Sequence, residues 1–189
     1  FKHGAAVYTT KGADVIKLTR TAGAGNATFT LSNASLEFAG GNIKLSDGVD
    51  LVANTGNKAL TVLGVRGTSY EDVTLTTTGT LTVGTGGIGS GTQIEDVSID
   101  GTSIVLKGNI TTAGATVGNT NNVGDVDFDG AVTIDGAVTI TTDVDGSTVN
   151  DGKIDFATNT INAEGTSTDS LTLTSGSGTI TLGGVIGGT

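Results

Sequence analysis

Alternating aspartates at residues 125–129 form the pattern D-x-D-x-D-G, which opens many calcium-binding loops. In an EF-hand loop, Asp125, Asp127 and Asp129 would take ligand positions 1, 3 and 5, and Gly130 would take position 6. Position 12 should then carry a bidentate carboxylate, but it falls on Gly136. No helical periodicity flanks the stretch. The EF-hand interpretation therefore fails.

A second calcium geometry is compatible with the same aspartates if the stretch is a β-strand. Alternate residues of a strand share a face, so Val126 and Phe128 would point inward and Asp125, Asp127 and Asp129 outward. Carboxylates on one outer face repel each other unless a cation or salt screens them. Calcium takes six to eight oxygen ligands and suits such a face.

Two further aspartates repeat the alternating pattern a short distance later in the chain. If they belong to the next coil of a stacked structure, their rows lie about 4.8 Å from the first set. The sequence therefore predicts an optional calcium ladder, and no cofactor that the chain requires. An acidic face in water is the alternative. The predicted ladder consists of Asp125, Asp127, Asp129, Asp143 and Asp145.

Catalytic groups are scarce in this chain. The single histidine is His3, and the absence of cysteine excludes thiol catalysis. A Ser–His–Asp triad would have to recruit His3. Glu95, Asp96 and Asp100 could serve glycosidic chemistry as paired carboxylates. Aromatic residues make up only 4% of the chain, which is few for the platforms that bind sugars. The prediction is that the chain is not an enzyme.

The hexapeptide Asp-Gly-Ala-Val-Thr-Ile occurs twice in succession, at residues 129–134 and 135–140. Apolar-x-apolar units of this kind recur along most of the chain, and Gly, Asn and Asp separate them. Such units predict short strands with sharp corners. The absence of proline agrees with strands that donate hydrogen bonds throughout a stack. An all-β, parallel β-solenoid of about eight or nine coils is predicted, with about 20 residues per coil.

An antiparallel β-sandwich is the alternative fold, because the recurring Asp-Gly pairs can also form hairpin turns. For the solenoid, residues 1–26 are predicted to be an irregular or capping segment and residues 27–189 the repeat region. The glycine-rich interval 84–93 is a candidate seam. Residues 183–189 lack a polar cap, so the end is expected to continue or to be covered by another subunit.

Charge is distributed unevenly over the chain, whose net charge is -10. Residues 1–66 carry seven Lys/Arg against four acids, a net of +3, and residues 67–189 carry two Lys against fifteen acids, a net of -13. A nucleic-acid partner is not expected, because phosphate binding requires clustered cations. No apolar run of membrane-spanning length occurs, so membrane insertion is not expected either.

Three stretches carry a resemblance to a known family. They are "SLEFAGGNIKLSDGVDLVANTG" (35–56), "GTLTVGTGGI" (79–88) and "SLTLTSGSGTITLGG" (170–184). Their glycine turns, L-x-[IVL] strands and outward Thr, Ser and Asn resemble the filamentous-haemagglutinin-like exoproteins of bacterial surfaces. The resemblance covers roughly residues 27–184 and implies a secreted parallel β-helix with an adhesive or scaffolding role. It transfers no individual functional residue.

The expected function is therefore a non-enzymatic, extracellular structural or adhesive role at the cell surface. The chain would be a stiff segment of an adhesin or a subunit of an extracellular filament. Expected partners are a second copy bound end to end, and a host-surface or glycan receptor. The alternatives are a module that binds calcium, a glycan or ice, and a phage or secreted polysaccharide depolymerase.

Overall fold

The structure is a computed structural model that describes most of the chain. The residues it describes are 8–9, 16–18, 25–30, 35–38, 41–46, 48–68, 70–90, 94–113, 124–143, 151–165 and 168–187. Within these ranges the regular secondary structure consists of β-strands, and no helix occurs.

Sixteen strands follow one another along the described chain. They are β1 (Tyr8–Thr9), β2 (Ile16–Leu18), β3 (Gly25–Thr30), β4 (Leu36–Phe38), β5 (Ile43–Leu45), β6 (Val49–Asn54), β7 (Leu60–Arg66), β8 (Glu71–Ile88), β9 (Ile94–Leu106), β10 (Ile110–Thr111), β11 (Val126–Ile134), β12 (Ala137–Thr141), β13 (Ile154–Asp155), β14 (Ile161–Ala163), β15 (Ser170–Thr174) and β16 (Ile180–Thr181).

Parallel pairing arranges these strands into three walls, which the chain visits in the order A, B, C in every coil. Wall A contains β1, β4, residues 60–62 of β7, 81–83 of β8, 104–106 of β9, 132–134 of β11, β14 and Ile186. Wall B contains β2, β5, residues 65–66 of β7, residue 88 of β8, β10, β12 and β15. Wall C contains β3, β6, residues 73–76 of β8, 97–100 of β9, 126–129 of β11, β13 and β16.

The all-parallel pairing confirms the predicted β-solenoid and shows that the antiparallel sandwich is wrong. The predicted number of coils is too high, because the coils are longer than the prediction assumed. Leu60 pairs with Leu81, whereas the step from Ile140 to its partner Leu173 is half as long again. In the longer coils, more chain connects wall B to wall C. The solenoid therefore has fewer coils than the eight or nine that were predicted.

The doubled hexapeptide forms two successive walls of one coil. Val132 and Ile134 point into the core from wall A, and Val138 and Ile140 point into it from wall B. The core is one continuous stack of buried apolar side chains from the three walls. Each hexapeptide is thus a short strand preceded by an Asp-Gly corner, as the sequence predicted.

Three buried hydroxyl groups lie directly after strands of wall B, at the corner that leads to wall C. They belong to Thr112, Thr142 and Ser175. Thr112 Oγ1 donates to Gly124 O, Thr142 Oγ1 donates to Gly152 O at 2.6 Å, and Ser175 Oγ donates to Gly178 O at 2.9 Å. Each buried hydroxyl thus has a hydrogen-bond partner, and the bond fastens the two ends of the connection.

The proposed division of the chain stays a prediction. Residues 1–26 include β1 and β2, which pair in parallel with β4 and β5. Of the interval 84–93, residues 84–88 are the end of β8, and residues 91–93 lie outside the described chain.

Candidate functional site

A column of aspartates runs along the outside of wall C, one in each of four consecutive coils. Each carboxylate accepts a hydrogen bond from the backbone N–H one coil further along. Asp50 Oδ1 accepts from residue 72 at 3.1 Å, Asp72 Oδ1 from residue 96 at 3.2 Å, and Asp96 Oδ1 from residue 125 at 2.8 Å. Asp125 Oδ1 accepts from Lys153 N–H at 2.9 Å. We name Asp50, Asp72, Asp96 and Asp125 the aspartate ladder.

The local geometry explains why aspartate suits these positions. Each ladder residue directly precedes an inward residue of its wall C segment, so its own side chain points outward. A carboxylate on a one-carbon stem reaches the N–H of the next coil, about 4.8 Å away. A hydrogen bond to an ionised acceptor is stronger than one between neutral groups.

The structure keeps Asp125, Asp127 and Asp129 on one strand face and places Asp143 elsewhere. Asp125, Asp127 and Asp129 do alternate with the buried Val126 and Phe128, so the predicted outward face at residues 125–129 is confirmed. The predicted register to the next coil is wrong. The prediction placed Asp145 next to Asp127 in the following coil, whereas Asp127 pairs with Asp155. The coil is therefore much longer than the spacing between Asp127 and Asp145.

Asp143 lies on another part of the solenoid. It follows β12 at the corner after wall B, and β12 pairs with β10 and β15 instead of β11. Asp145 lies outside the described residues. The structure therefore does not bring Asp143 into one column with the aspartates of residues 125–129.

A lysine supplies positive charge where the sequence analysis placed calcium. Lys153 Nζ lies 2.8 Å from Asp127 Oδ1 and 3.8 Å from Asp155 Oδ2. These two carboxylates raise the pKa of Lys153, with the hydrogen bond from Lys153 to Asp127 as the largest cause. The ammonium group offsets the repulsion between stacked carboxylates at this end of the ladder.

Among the described residues, one group of three carboxylates could hold a metal ion, and two of its members belong to the aspartate ladder. One carboxylate oxygen each from Asp72, Glu95 and Asp96 lies within 4.8 Å of the others. A β-bulge creates this arrangement, because two residues of β9 oppose the single residue 72 of β8. Calcium binding at the aspartates of residues 125–129 stays a prediction, and these three residues form a separate acidic group. Melting with and without excess chelator would test it, and an unchanged midpoint would contradict it.

Burial and mutual repulsion disfavour the charged form of two ladder carboxyls. Loss of solvent between the coils raises the pKa of Asp72, as does the charge of Asp50, while the hydrogen bond from residue 96 lowers it. Loss of solvent likewise raises the pKa of Asp96, and the neighbouring charges of Asp72, Asp125 and Asp127 add to the increase. Burial between the coils therefore disfavours the ionised form at Asp72 and Asp96.

Mild acidification is expected to raise the melting temperature. Carboxyls with a raised pKa in the folded state bind protons there before the unfolded chain does. Stability from these two groups thus increases as the pH falls from 7 towards the ordinary aspartate pKa of 3.8. The raised pKa values of Lys107 and Lys153 do not oppose this, because their contribution is lost only at alkaline pH. Thermal melts at pH 7 and at about pH 5 would measure the change.

The matched control is the double variant Asp72→Asn, Asp96→Asn. Asparagine can still accept the backbone hydrogen bonds but does not titrate, so this variant should show a smaller gain on acidification. A melting temperature that falls between pH 7 and about pH 5 in the unmodified chain would contradict the prediction, as would an undiminished gain in the variant.

Sequence reasoning missed Asp50 and Asp72 altogether, and it considered Asp96 only as a catalytic carboxylate. A signal for the ladder was present, because an aspartate precedes the inward pair in "DLVA" (50–53), "DVTL" (72–75), "DVSI" (96–99) and "DVDF" (125–128). The spacing between successive tetrapeptides grows along the chain, so a search at one fixed period does not align them.

Comparisons with protein-family models, with curated proteins and with solved structures found no match to this chain. Among the described residues, no helix has the length and apolar character needed to cross a membrane.

Proposed function

We propose that this chain is a non-enzymatic structural protein, a stiff β-solenoid segment of an extracellular surface adhesin or filament. The observation that carries the proposal is the use of outward polar side chains as links between coils. In the aspartate ladder, four successive carboxylates each bond to the backbone of the next coil. Side chains used in this way strengthen the solenoid against separation of its coils along the long axis.

Links of the same kind occur on the other walls. Asn109 Oδ1 accepts from Thr139 N–H at 2.8 Å, and Asp169 Oδ1 accepts from Gly136 N–H at 2.9 Å. At a corner, Asn159 Nδ2 donates to Phe128 O at 3.1 Å. Each bond joins groups in neighbouring coils that are far apart in sequence. Pulling two coils apart would break these bonds together with the backbone hydrogen bonds between the paired strands.

The sequence supports the remaining parts of the proposal. A chain with one histidine and no cysteine has few groups for general acid–base or nucleophilic catalysis. The resemblance to filamentous-haemagglutinin-like exoproteins supports an extracellular location and an adhesive role, with a host-surface or glycan receptor as partner. An acidic, Thr-rich exterior suits a rod that stays dispersed in water.

Force spectroscopy on the chain held by its two termini would test the structural role. A solenoid that unravels coil by coil should lengthen in steps of roughly 70–115 Å, the extended length of its shorter and longer coils at about 3.5 Å per residue. Replacing Asp72 and Asp96 by alanine should lower the unfolding force, because two coil-to-coil bonds to charged acceptors are lost. The matched Asn variant retains acceptors at both positions and should keep most of the force.

Equal unfolding forces for the unmodified, Ala and Asn chains would contradict the bracing role of the ladder. The adhesive part needs a separate measurement, namely binding to arrayed surface glycans and to host cells. Cleavage of a polysaccharide in the same assays would move the chain to the depolymerase class and overturn the non-enzymatic proposal.

A further inference from the structure

We propose that the C-terminal end of the solenoid binds the N-terminal coil of a second copy of this chain, so that copies stack head to tail. The inference rests on the proposed structural function and names its partner. We define the tail surface as Ile180, Leu182, Val185 and Ile186, and the head as β1, β2 and β3.

The tail surface is apolar and open to solvent. Among the residues whose burial the structure describes, its four members are the large hydrophobic residues with exposed side chains. Their exposed fractions, in chain order, are 40%, 42%, 60% and 59%. A cavity of about 170 Å³ adjoins Ile186, and its apolar lining includes Ile134, Ile161 and Leu171. Covering apolar surface of this kind is favourable in water.

Among the described strands, those at both ends of the stack have a partner on one side only, in the same three walls. In the described chain, β15 pairs only with β12, β16 pairs only with β13, and Ile186 bridges only to Ile161. At the other end of the described strands, β1 pairs only with β4, β2 only with β5, and β3 only with β6. The pairings are parallel, so the head of one copy continues the hydrogen-bonding pattern of the tail of another.

The sequences of the two edges also agree in their alternation. In wall B, the head offers Ile16-Lys17-Leu18 and the tail end offers Leu171-Thr172-Leu173, both of them apolar-polar-apolar. The same alternation is shared by the wall B strands that pair within the chain, such as Ile16–Leu18 with Ile43–Leu45. A new pairing in this register would keep the core and the outer face continuous.

Charge complementarity selects the direction of stacking. Residues 1–30 carry four Lys/Arg and one Asp, a net of +3, whereas residues 151–189 carry one Lys and four acids, a net of -3. Head-to-tail contact brings these opposite charges together, and head-to-head or tail-to-tail contact brings like charges together. Opposite potentials across an interface favour the correct partner and speed association.

Sedimentation velocity of the 189-residue chain, over a range of concentrations and at low and high salt, tests the inference. We expect a concentration-dependent series of elongated oligomers that shortens at high salt. Ile186→Asp should weaken association at least about tenfold, because a charge would be buried on the apolar tail surface. Thr85→Asp, at an exposed position of β8 away from both ends, is the control and should not change association.

Mixing distinguishes head-to-tail stacking from other association. The Ile186→Asp chain keeps its head, so it should join the unmodified tail and shorten the oligomers of the unmodified chain. Lys17→Glu changes the head and leaves the tail intact, and it should also weaken association. It serves as a second variant if Ile186→Asp folds poorly. Association that both variants leave unchanged would overturn the inference.

A chain that stays monomeric at all concentrations would also overturn the inference. Such a monomer could still unravel in coil-sized steps under force. The proposed structural function would stand in that case, so the failure of one proposal is distinguishable from the failure of the other.

Discussion

Alanine at position 130 is expected to destabilise the solenoid by about 3–5 kcal/mol, whereas alanine at position 136 should cost only about 1–2 kcal/mol. The two glycines stand in the same hexapeptide, Asp-Gly-Ala-Val-Thr-Ile. Intrinsic propensity and local sequence are therefore matched, and the difference isolates the contact between neighbouring coils.

The backbone conformation is strained for alanine at both sites, because φ is 142° at Gly130 and 109° at Gly136. The space around them differs. A Cβ at residue 130 would lie 1.6 Å from the backbone oxygen of Gly101 in the adjacent coil, whereas a Cβ at residue 136 would meet nothing within 4 Å. A backbone oxygen cannot rotate away, so the two coils must separate and lose hydrogen bonds on both sides of the corner.

Urea denaturation of the Gly130→Ala and Gly136→Ala chains would measure the two costs from the shift in midpoint at unchanged slope. Circular dichroism should show that the Gly136→Ala chain keeps its strand content. Equal losses of stability in the two variants would contradict the prediction, because they would mean that only the backbone angle matters at these corners.

Local periodicity was enough to predict the strands and their inward faces. The alternation in residues 126–134 is reproduced by the burial of Val126, Phe128, Val132 and Ile134. Such short units reflect local side-chain geometry, which a single sequence contains. The polar ends of the units likewise predicted corners, and Gly130 and Gly136 do adopt positive φ there.

Coil length could not be predicted in the same way, because it depends on how much chain each corner accommodates. In wall B, the step from Ile110 to Ile140 is longer by about a third than the preceding step from Ile88 to Ile110. Surface connections tolerate such insertions at little thermodynamic cost. The assumption of one short, constant coil length therefore gave too many coils.

The error in coil length also displaced the candidate site. The sequence predicted a carboxylate column and placed Asp143 in the coil after residues 125–129. In the structure, the neighbours of Asp125 are Asp96 in the preceding coil and Lys153 in the following coil. The chemistry of the column was thus predictable from residue types, but its members were not. Which residues lie next to each other in adjacent coils depends on the register between those coils. That register depends on the length of every corner between them.

Two stacked phenylalanines lie on the opposite face of wall C from the aspartate ladder. Phe128 pairs with Ile99 and stacks on Phe156, with ring centroids 4.5 Å apart and planes 7° from parallel. Below the two phenylalanines, Leu75 and Ile99 fill the equivalent inward positions of earlier coils. One side of wall C thus links coils by hydrogen bonds and the other by packing.

Replacing Phe156 by alanine is expected to cost about 3–5 kcal/mol of folding stability. The side chain is fully buried, with 0% exposure, and it contacts the ring of Phe128 in the coil below. Alanine would leave a cavity between two coils that the backbone ladder holds at a fixed spacing, so the walls cannot collapse to fill it. Phe156→Leu keeps most of the volume and should cost about 1 kcal/mol.

A double-mutant cycle with leucine at positions 128 and 156 separates ring stacking from simple burial. Urea denaturation of the two single variants and the double variant should give a coupling energy of about 1 kcal/mol, because either substitution alone already removes the ring–ring contact. A coupling energy near zero would mean that burial alone stabilises the pair. A Phe156→Ala chain that loses no more than the leucine variant would show that the coils can close around the missing ring, and the solenoid would then be softer along its axis than a stiff structural segment requires.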